Sequence, residues 1–245
     1  GGRTANTEFE FLTGNTMAWL PAASVAYTYS VKDPMPAINK LCVEQGYKGN
    51  VSIHAYKYDG YNRPAVYSLF GFEHFYCNTD FVNPTYVRAY IDDDSDFKFL
   101  ISEYEKTQAQ DSTKPYFGFS DTRQNHGAYN VEFDNLSKDI QVLTSAANAP
   151  NTQRYYNLLK QTDIAFENMV KYFENTDDKT VIIMFGDHQP RISNKTYSYI
   201  LGKDPSECTL QDDQTRFKIP VVIWANYDIE EEEIESFMKG KRNRV

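Results

Sequence analysis

The chain has 245 residues, 41% of them hydrophobic and 15% aromatic, and a formal net charge of −9. That length suits one large α/β domain or two small ones, the negative charge argues against a nucleic-acid binder, and no apolar stretch is long enough to span a membrane. Cys42, Cys77 and Cys208 form no CxxC pair and no zinc-type spacing, so they allow at most one disulfide.

From the amino end, Gly1-Gly2-Arg3-Thr4 reads as a turn, and Ala5, Phe9 and Leu12 as one face of a short helix stopped by Gly14. Thr4 stands at the helix start, where threonine commonly serves as an N-cap. The same place suits a hydroxyl nucleophile, because helix N–H groups hold an anionic phosphate there and a metal lowers the hydroxyl pKa. Residues 15–34 read as irregular. Pro36 to Gln45 reads as a helix with Pro36 in its first turn, Ile38, Leu41 and Cys42 on its apolar face, and Gly46 as its stop. Asn50 to His54 reads as a strand in which Val51 and Ile53 alternate with Ser52 and His54. The polar loop after it carries Tyr61 and Arg63. A strand-end histidine with an arginine fork composes an anion site, or else a hydrogen-bonded loop histidine and a surface arginine.

Ala65 to Leu69 reads as a short helix ended by Gly71, and Phe75-Tyr76 as a brief edge strand. Asp92, Asp93, Asp94 and Asp96 form an acidic cap on a helix through Phe97, Leu100, Ile101 and Tyr104; the glycine and terminal glutamate of a calcium loop are missing. Tyr116 to Ser120 reads as a buried strand, with Asn125-His126 a few residues beyond. Residues 130–150 read as a long loop, and Gln153 to Phe173 as the strongest helix, its apolar stripe serving the core.

Val181 to Phe185 is an unbroken apolar run, read as a strand buried on both faces of a parallel sheet. Asp187 and His188 follow it, where ligands of α/β sheets sit, and they suit a divalent metal. Residues 219–224 read as a last strand and 230–245 as a surface helix. Helix and strand therefore alternate, which predicts an α/β doubly wound sheet. His54, His126 and His188, three of the four histidines, come at or just beyond strand ends and should converge on one edge.

Four motifs in order resemble the lipoteichoic acid synthase family of phosphoglycerol transferases, within the alkaline phosphatase and sulfatase superfamily. Gly2-Arg3-Thr4-Ala5-Asn6-Thr7-Glu8-Phe9 resembles the nucleophile motif; His54 through Asn62-Arg63 resembles a headgroup-binding loop; Asn125-His126 resembles a Thr-Asn-His motif; Gly186-Asp187-His188 resembles a metal-binding Gly-Asp-His. Tyr56 stands where the family has Asp, and Tyr61 where it has Trp. The resemblance implies a mixed, mostly parallel sheet with helices on both faces, and one sulfatase-like domain over residues 1–245 lacking the family's first strand, its metal-binding glutamate and the membrane region before it. It implies Thr4 as nucleophile, Thr4, Asp187 and His188 as ligands of one Mn²⁺ or Mg²⁺ ion, and His54, Tyr61, Arg63 and His126 as substrate-binding residues. The implied reaction moves a headgroup phosphate from a membrane phospholipid to a glycan or polyglycerol-phosphate acceptor, through a phospho-threonine, on the outer face of the bacterial membrane. A phosphodiesterase, phosphoethanolamine transferase or sulfatase-like hydrolase of the superfamily, or an inactive headgroup-binding relative, are the alternatives. No cysteine has the Cys-x-Pro-x-Arg context of a sulfatase nucleophile, and no serine supplies it.

Overall fold

The computed structural model describes residues 3–21, 23–143 and 149–229. In chain order its helices are α1 (Thr4–Thr13), α2 (Ala26–Tyr29), α3 (Ile38–Glu44), α4 (Arg63–Phe70), α5 (Asp93–Gln110), α6 (Ala149–Glu174), α7 (Asn194–Leu201) and α8 (Leu210–Arg216). Its strands are β1 (Lys48–His54), β2 (His74–Tyr76), β3 (Tyr86–Val87), β4 (Tyr90–Ile91), β5 (Tyr116–Asp121), β6 (Val181–Phe185) and β7 (Val221–Ala225).

β1 lies between β2 and β5 and pairs in parallel with both. Val51 through His54 are all buried, so β1 is a central strand covered on both faces, rather than a half-buried alternating one. The pleat of β5 shows how the layers form. Phe117 and Phe119 point into a cluster built from α1 and α4 residues such as Ala5, Phe9, Leu12, Val66 and Phe70. Tyr116 points the other way, into a cluster of Phe97 and Tyr104 from α5 with Ala165, Met169 and Phe173 from α6. Gly118 shares that second side, where a Cβ would lie 2.6 Å from Leu100 Cδ1, so the glycine lets α5 approach the sheet. Helices therefore cover both faces of a parallel sheet, as the α/β reading expects.

The setting of β6 differs from expectation. It pairs antiparallel with β7, from Val181 opposite Ala225 to Phe185 opposite Val221, and this two-stranded sheet has no further strand among the described residues. Val181 and Ile183 are exposed, so the run is not buried on both faces. Ile182 and Trp224 enter the α5–α6 cluster, while the Phe185 ring packs tilted against Phe11 of α1, with centroids 4.6 Å apart. An apolar run reports the capacity for burial; whether both faces are covered depends on neighbours far off in sequence.

Smaller differences have local causes. α3 starts at Ile38 with Ala37 as its N-cap, so Pro36 lies before the helix; Leu41 is exposed, and the residue α3 buries is Asn39, which donates to Phe70 O. α1 ends as predicted at Gly14, whose φ of 68° is the left-handed C-cap conformation. The acidic cap of α5 is observed: Asp92 is the N-cap and accepts from Ser95 N–H at 2.8 Å. Residues 130–143 carry no helix or strand, as the long-loop reading expects, whereas the expected tail helix over 230–245 lies outside the described residues.

The acidic cluster is not all solvated. Asp96 is fully buried; its Oδ1 accepts from Ser120 Oγ at 2.5 Å, and its Oδ2 has no partner among the described residues. Burial pushes its carboxyl up to about 8 from 3.8. A folded-state value above the unfolded one means that the folded protein holds this proton more tightly. Stability from this group is full below pH 3.8 and is lost as pH rises through about 8. Asp96→Asn should therefore raise stability at pH 8 by on the order of 3 kcal/mol and change little at pH 4, read from urea midpoints at the two pH values.

Candidate active site

Thr4 opens α1, but it is not the cap. Arg3 is the N-cap and its side chain caps nothing. The buried Thr4 hydroxyl instead donates to Asp187 Oδ2 at 2.5 Å, across 183 residues of sequence. One turn on, Thr7 Oγ1 donates to the Asp187 carbonyl at 2.6 Å. Two hydroxyls of one helix thus fix the chain just after β6, and this fixation brings Asp187 to the helix start. Asp187 Oδ1 accepts from His188 N–H at 2.8 Å, and His188 Nε2 lies 3.2 Å from Asp187 Oδ2.

These atoms form an oxygen, oxygen and nitrogen set about one carboxylate oxygen. His188 Nδ1 lies 2.9 Å from the Gln189 carbonyl. With the proton on Nδ1 donated there, the Nε2 lone pair faces the carboxylate. Two acceptors facing each other fit a cation between them, and the backbone carbonyl fixes the tautomer as in many metal sites. Thr4, Asp187 and His188 therefore fit as part of a divalent-metal site. Among the described residues no group of three or more His, Cys, Asp or Glu side chains completes one.

A second group lies one helical turn further along α1. Arg63, first residue of α4, is 1% exposed and spends its five N–H donors inside the protein. Nε donates to Glu8 Oε2 at 3.2 Å, Nη2 to Glu8 Oε1 and to Asp121 Oδ2 at 2.7 Å, and Nη1 to Gly60 O at 3.1 Å. The remaining Nη1 donor meets His54 Nε2 at 3.3 Å. His54 Nδ1 is 2.8 Å from Asp121 Oδ2, so the tautomer protonated on Nδ1 makes both contacts at once. Burial raises the Asp121 pKa, but Arg63 and then His54 outweigh it and hold the carboxyl low. Burial pushes Glu8 up, against the pull of Arg63. Tyr61, at φ 57°, is exposed with its ring 5.4 Å from the Arg63 guanidinium. The sequence reading placed His54 and Arg63 at substrate oxygens; in this structure their nitrogens face protein partners.

His126 follows β5 on a loop anchored from behind. Buried Arg88 donates to the carbonyls of Gln124 at 2.6 Å, His126 at 2.7 Å and Ala128 at 3.2 Å. Gln124 accepts from Asp93 N–H at 3.1 Å and donates to Thr162 Oγ1 at 3.1 Å, tying the loop to α5 and α6. His126 is exposed; partial burial lowers its pKa first, then the nearby charges of Arg123, His188 and Arg88. The loop that carries it approaches the chain just beyond His188: a Cβ at Gly127 would lie 3.7 Å from Arg191 Cβ. Glu8, Asp121, Arg88 and Arg123 were not singled out from sequence, although Asp121 carries the signal of an acid at a strand end.

A parallel sheet, with α1 presenting a hydroxyl to an Asp-His pair beyond β6, defines an α/β protein with a candidate active site at a helix start. The sulfatase family profile matches residues 1–241, and the chain belongs to that family. It is 31% identical over 244 residues to a protein of Rhizobium meliloti (strain 1021) named for cyclic beta-1,2-glucan modification, covering 92% of this chain and 35% of that protein. Among solved structures, the lipoteichoic acid synthase LtaP of Listeria monocytogenes superposes with a TM-score of 0.70 at 17% identity, over 91% of this chain and 53% of that one. The Streptococcus pyogenes phosphoglycerol transferase GacH, solved with sn-glycerol-1-phosphate, gives 0.70 at 20% identity, over 94% and 58%. The chain thus spans about a third of that relative and just over half of those structures, and at these identities the structural likeness establishes the fold. Among the described residues no helix is long and apolar enough to cross a membrane.

Proposed function

We propose that this protein is a metal-dependent phosphotransferase that moves a phosphoglycerol-type headgroup from a membrane phospholipid to a glycan or polyglycerol-phosphate acceptor at the outer face of the membrane. The observation that carries this reading is the 2.5 Å hydrogen bond from the Thr4 hydroxyl to Asp187. A hydroxyl at a helix start, aimed at a carboxylate next to a histidine, is an activated nucleophile. Thr4 Oγ attacks phosphorus, the Thr4 Oγ–P bond forms and the bond to the lipid alcohol breaks. The hydroxyl proton passes to Asp187 and then to the departing alkoxide. An acceptor hydroxyl reverses these steps on the phospho-threonine. The N–H groups at the start of α1 face the transferred phosphoryl group, and His126 donates to its oxygens. A Mn²⁺ or Mg²⁺ ion held by Thr4, Asp187 and His188 would neutralise phosphoryl charge and lower the hydroxyl pKa. The glucan-modifying relative supports a glycan acceptor.

A hydrolase of the same superfamily or a headgroup-binding relative without turnover is the competing reading, favoured by the incomplete ligand set among the described residues. One experiment separates them. The intact protein is stripped with chelator, and headgroup transfer from fluorescent phosphatidylglycerol to a glucan is followed before and after adding Mn²⁺ or Mg²⁺. We expect transfer to vanish on stripping and return with metal. Undiminished transfer by metal-free protein contradicts the metal assignment. Release of headgroup to water alone identifies a hydrolase, and headgroup binding without turnover in the metal-loaded protein identifies a binder.

A further inference from the structure

Arg123 is unlike the other arginines around the site. Arg63 gives every N–H to a protein acceptor, Arg88 satisfies three carbonyls, and Arg154 donates to Tyr129 O at 2.9 Å. The half-buried Arg123 guanidinium lies 4.4 Å from the centre of the Tyr56 ring and 5.6 Å from that of Tyr90, two rings themselves 5.7 Å apart. Aromatic faces hold a guanidinium in place while leaving its in-plane N–H edge free. Among the described residues the Arg123 guanidinium makes no hydrogen bond, and its Nε is buried without a partner, as is the Nε of Arg88, whose Nη groups are engaged. Asp121, whose carboxyl feels the Arg123 charge, is already engaged by His54 and Arg63. Tyr90 also stands 6.0 Å from the ring of His126, the histidine assigned above to the phosphoryl oxygens.

We propose that Arg123, packed against the Tyr56 and Tyr90 rings, is a substrate-binding residue that takes two oxygens of a phosphate group through its unpaired guanidinium N–H groups. This rests on the phosphoryl-transfer reading above and adds to it the group that recognises the phosphate, a task Arg63 is too committed to perform in this structure. A planar fork in a partly desolvated setting matches two phosphate oxygens at once. Tyr56 contributes by holding the fork, which gives this tyrosine a role where the related family carries an acid.

The test measures binding of sn-glycerol 1-phosphate, a monoester with no lipid alcohol to release, by calorimetry on the intact metal-loaded protein. Arg123→Gln should weaken binding at least about tenfold, with the melting temperature unchanged and no change toward glycerol. Arg123→Lys, which keeps the charge and loses the fork, should fall between the two, and it replaces the glutamine variant should that one not fold. Lys98→Gln, at an exposed helical lysine paired with Asp94, controls for net charge. The proposal is overturned if the Arg123→Gln protein binds as tightly as its parent, if Lys98→Gln weakens binding equally, or if the parent does not bind the ligand. Failure of the phosphoryl-transfer reading looks different: the protein turns over no phosphodiester, yet the loss on Arg123→Gln remains. In active protein, a raised KM for the lipid places the Arg123-bound phosphate on the donor, and a raised KM for the acceptor alone places it there.

Discussion

Thr4→Ala should lower headgroup transfer by at least about 10⁴-fold, the scale on which removal of a covalent nucleophile acts, while the fold survives. The hydroxyl makes one described hydrogen bond, to Asp187, and caps no helix N–H. Its loss costs about 1 kcal/mol, partly offset by the higher helix propensity of alanine. Thr4→Ser keeps the hydroxyl and should retain measurable transfer. Rates and melting curves on the three proteins decide the matter. A Thr4→Ala enzyme with native rates and a lowered melting temperature would make Thr4 a structural residue.

Arg63→Ala should be the most destabilising single change near the site. Removing the guanidinium leaves Glu8 and Asp121 buried and facing each other without a counter-charge, next to a His54 that has lost a donor. Breaking a buried ion network in this way costs about 3–5 kcal/mol, measured as the shift in urea midpoint. The sign of its pH dependence follows from the acids. Arg63 holds the Asp121 carboxyl low, so without it both carboxyls bind protons more readily in the folded state than when unfolded. The deficit should then be smaller at pH 5 than at pH 8. Arg63→Lys should restore little, because an ammonium cannot fill five directed contacts. A variant as stable as the native protein, impaired only in KM, would return Arg63 to the direct substrate-binding role that its sequence context implied.

Local signals were legible in the sequence where local physics decides. Gly14 and Gly71 end α1 and α4 because both sit at positive φ, and Asp92 caps α5 because its short carboxylate reaches the free N–H of Ser95. Asp187 and His188 were readable as a site because a strand must end before them. What was not legible depends on partners far apart in sequence. Glu8 looks like a polar position on an amphipathic helix, yet it receives Arg63 from 55 residues away and Tyr67 from 59. Thr4 and its alternative role as a cap differ only in where the hydroxyl points, which Asp187 decides. The apolar run of β6 does not reveal that its strand neighbour is β7 or that Val181 and Ile183 stay exposed. Arg123 carries no motif at all; its two tyrosine neighbours come from the loop after β1 and from β4.

The central claim is that the Thr4 oxygen becomes bonded to phosphorus during turnover. The direct measurement is mass spectrometry of the metal-loaded protein quenched in acid shortly after mixing with phosphatidylglycerol, with fragmentation of the amino-terminal peptide. The account predicts a phosphoglycerol adduct localised to Thr4, formed without acceptor, discharged when acceptor is added and missing from Thr4→Ala. Turnover at full rate with no adduct on Thr4, or with the adduct on another residue, would contradict it.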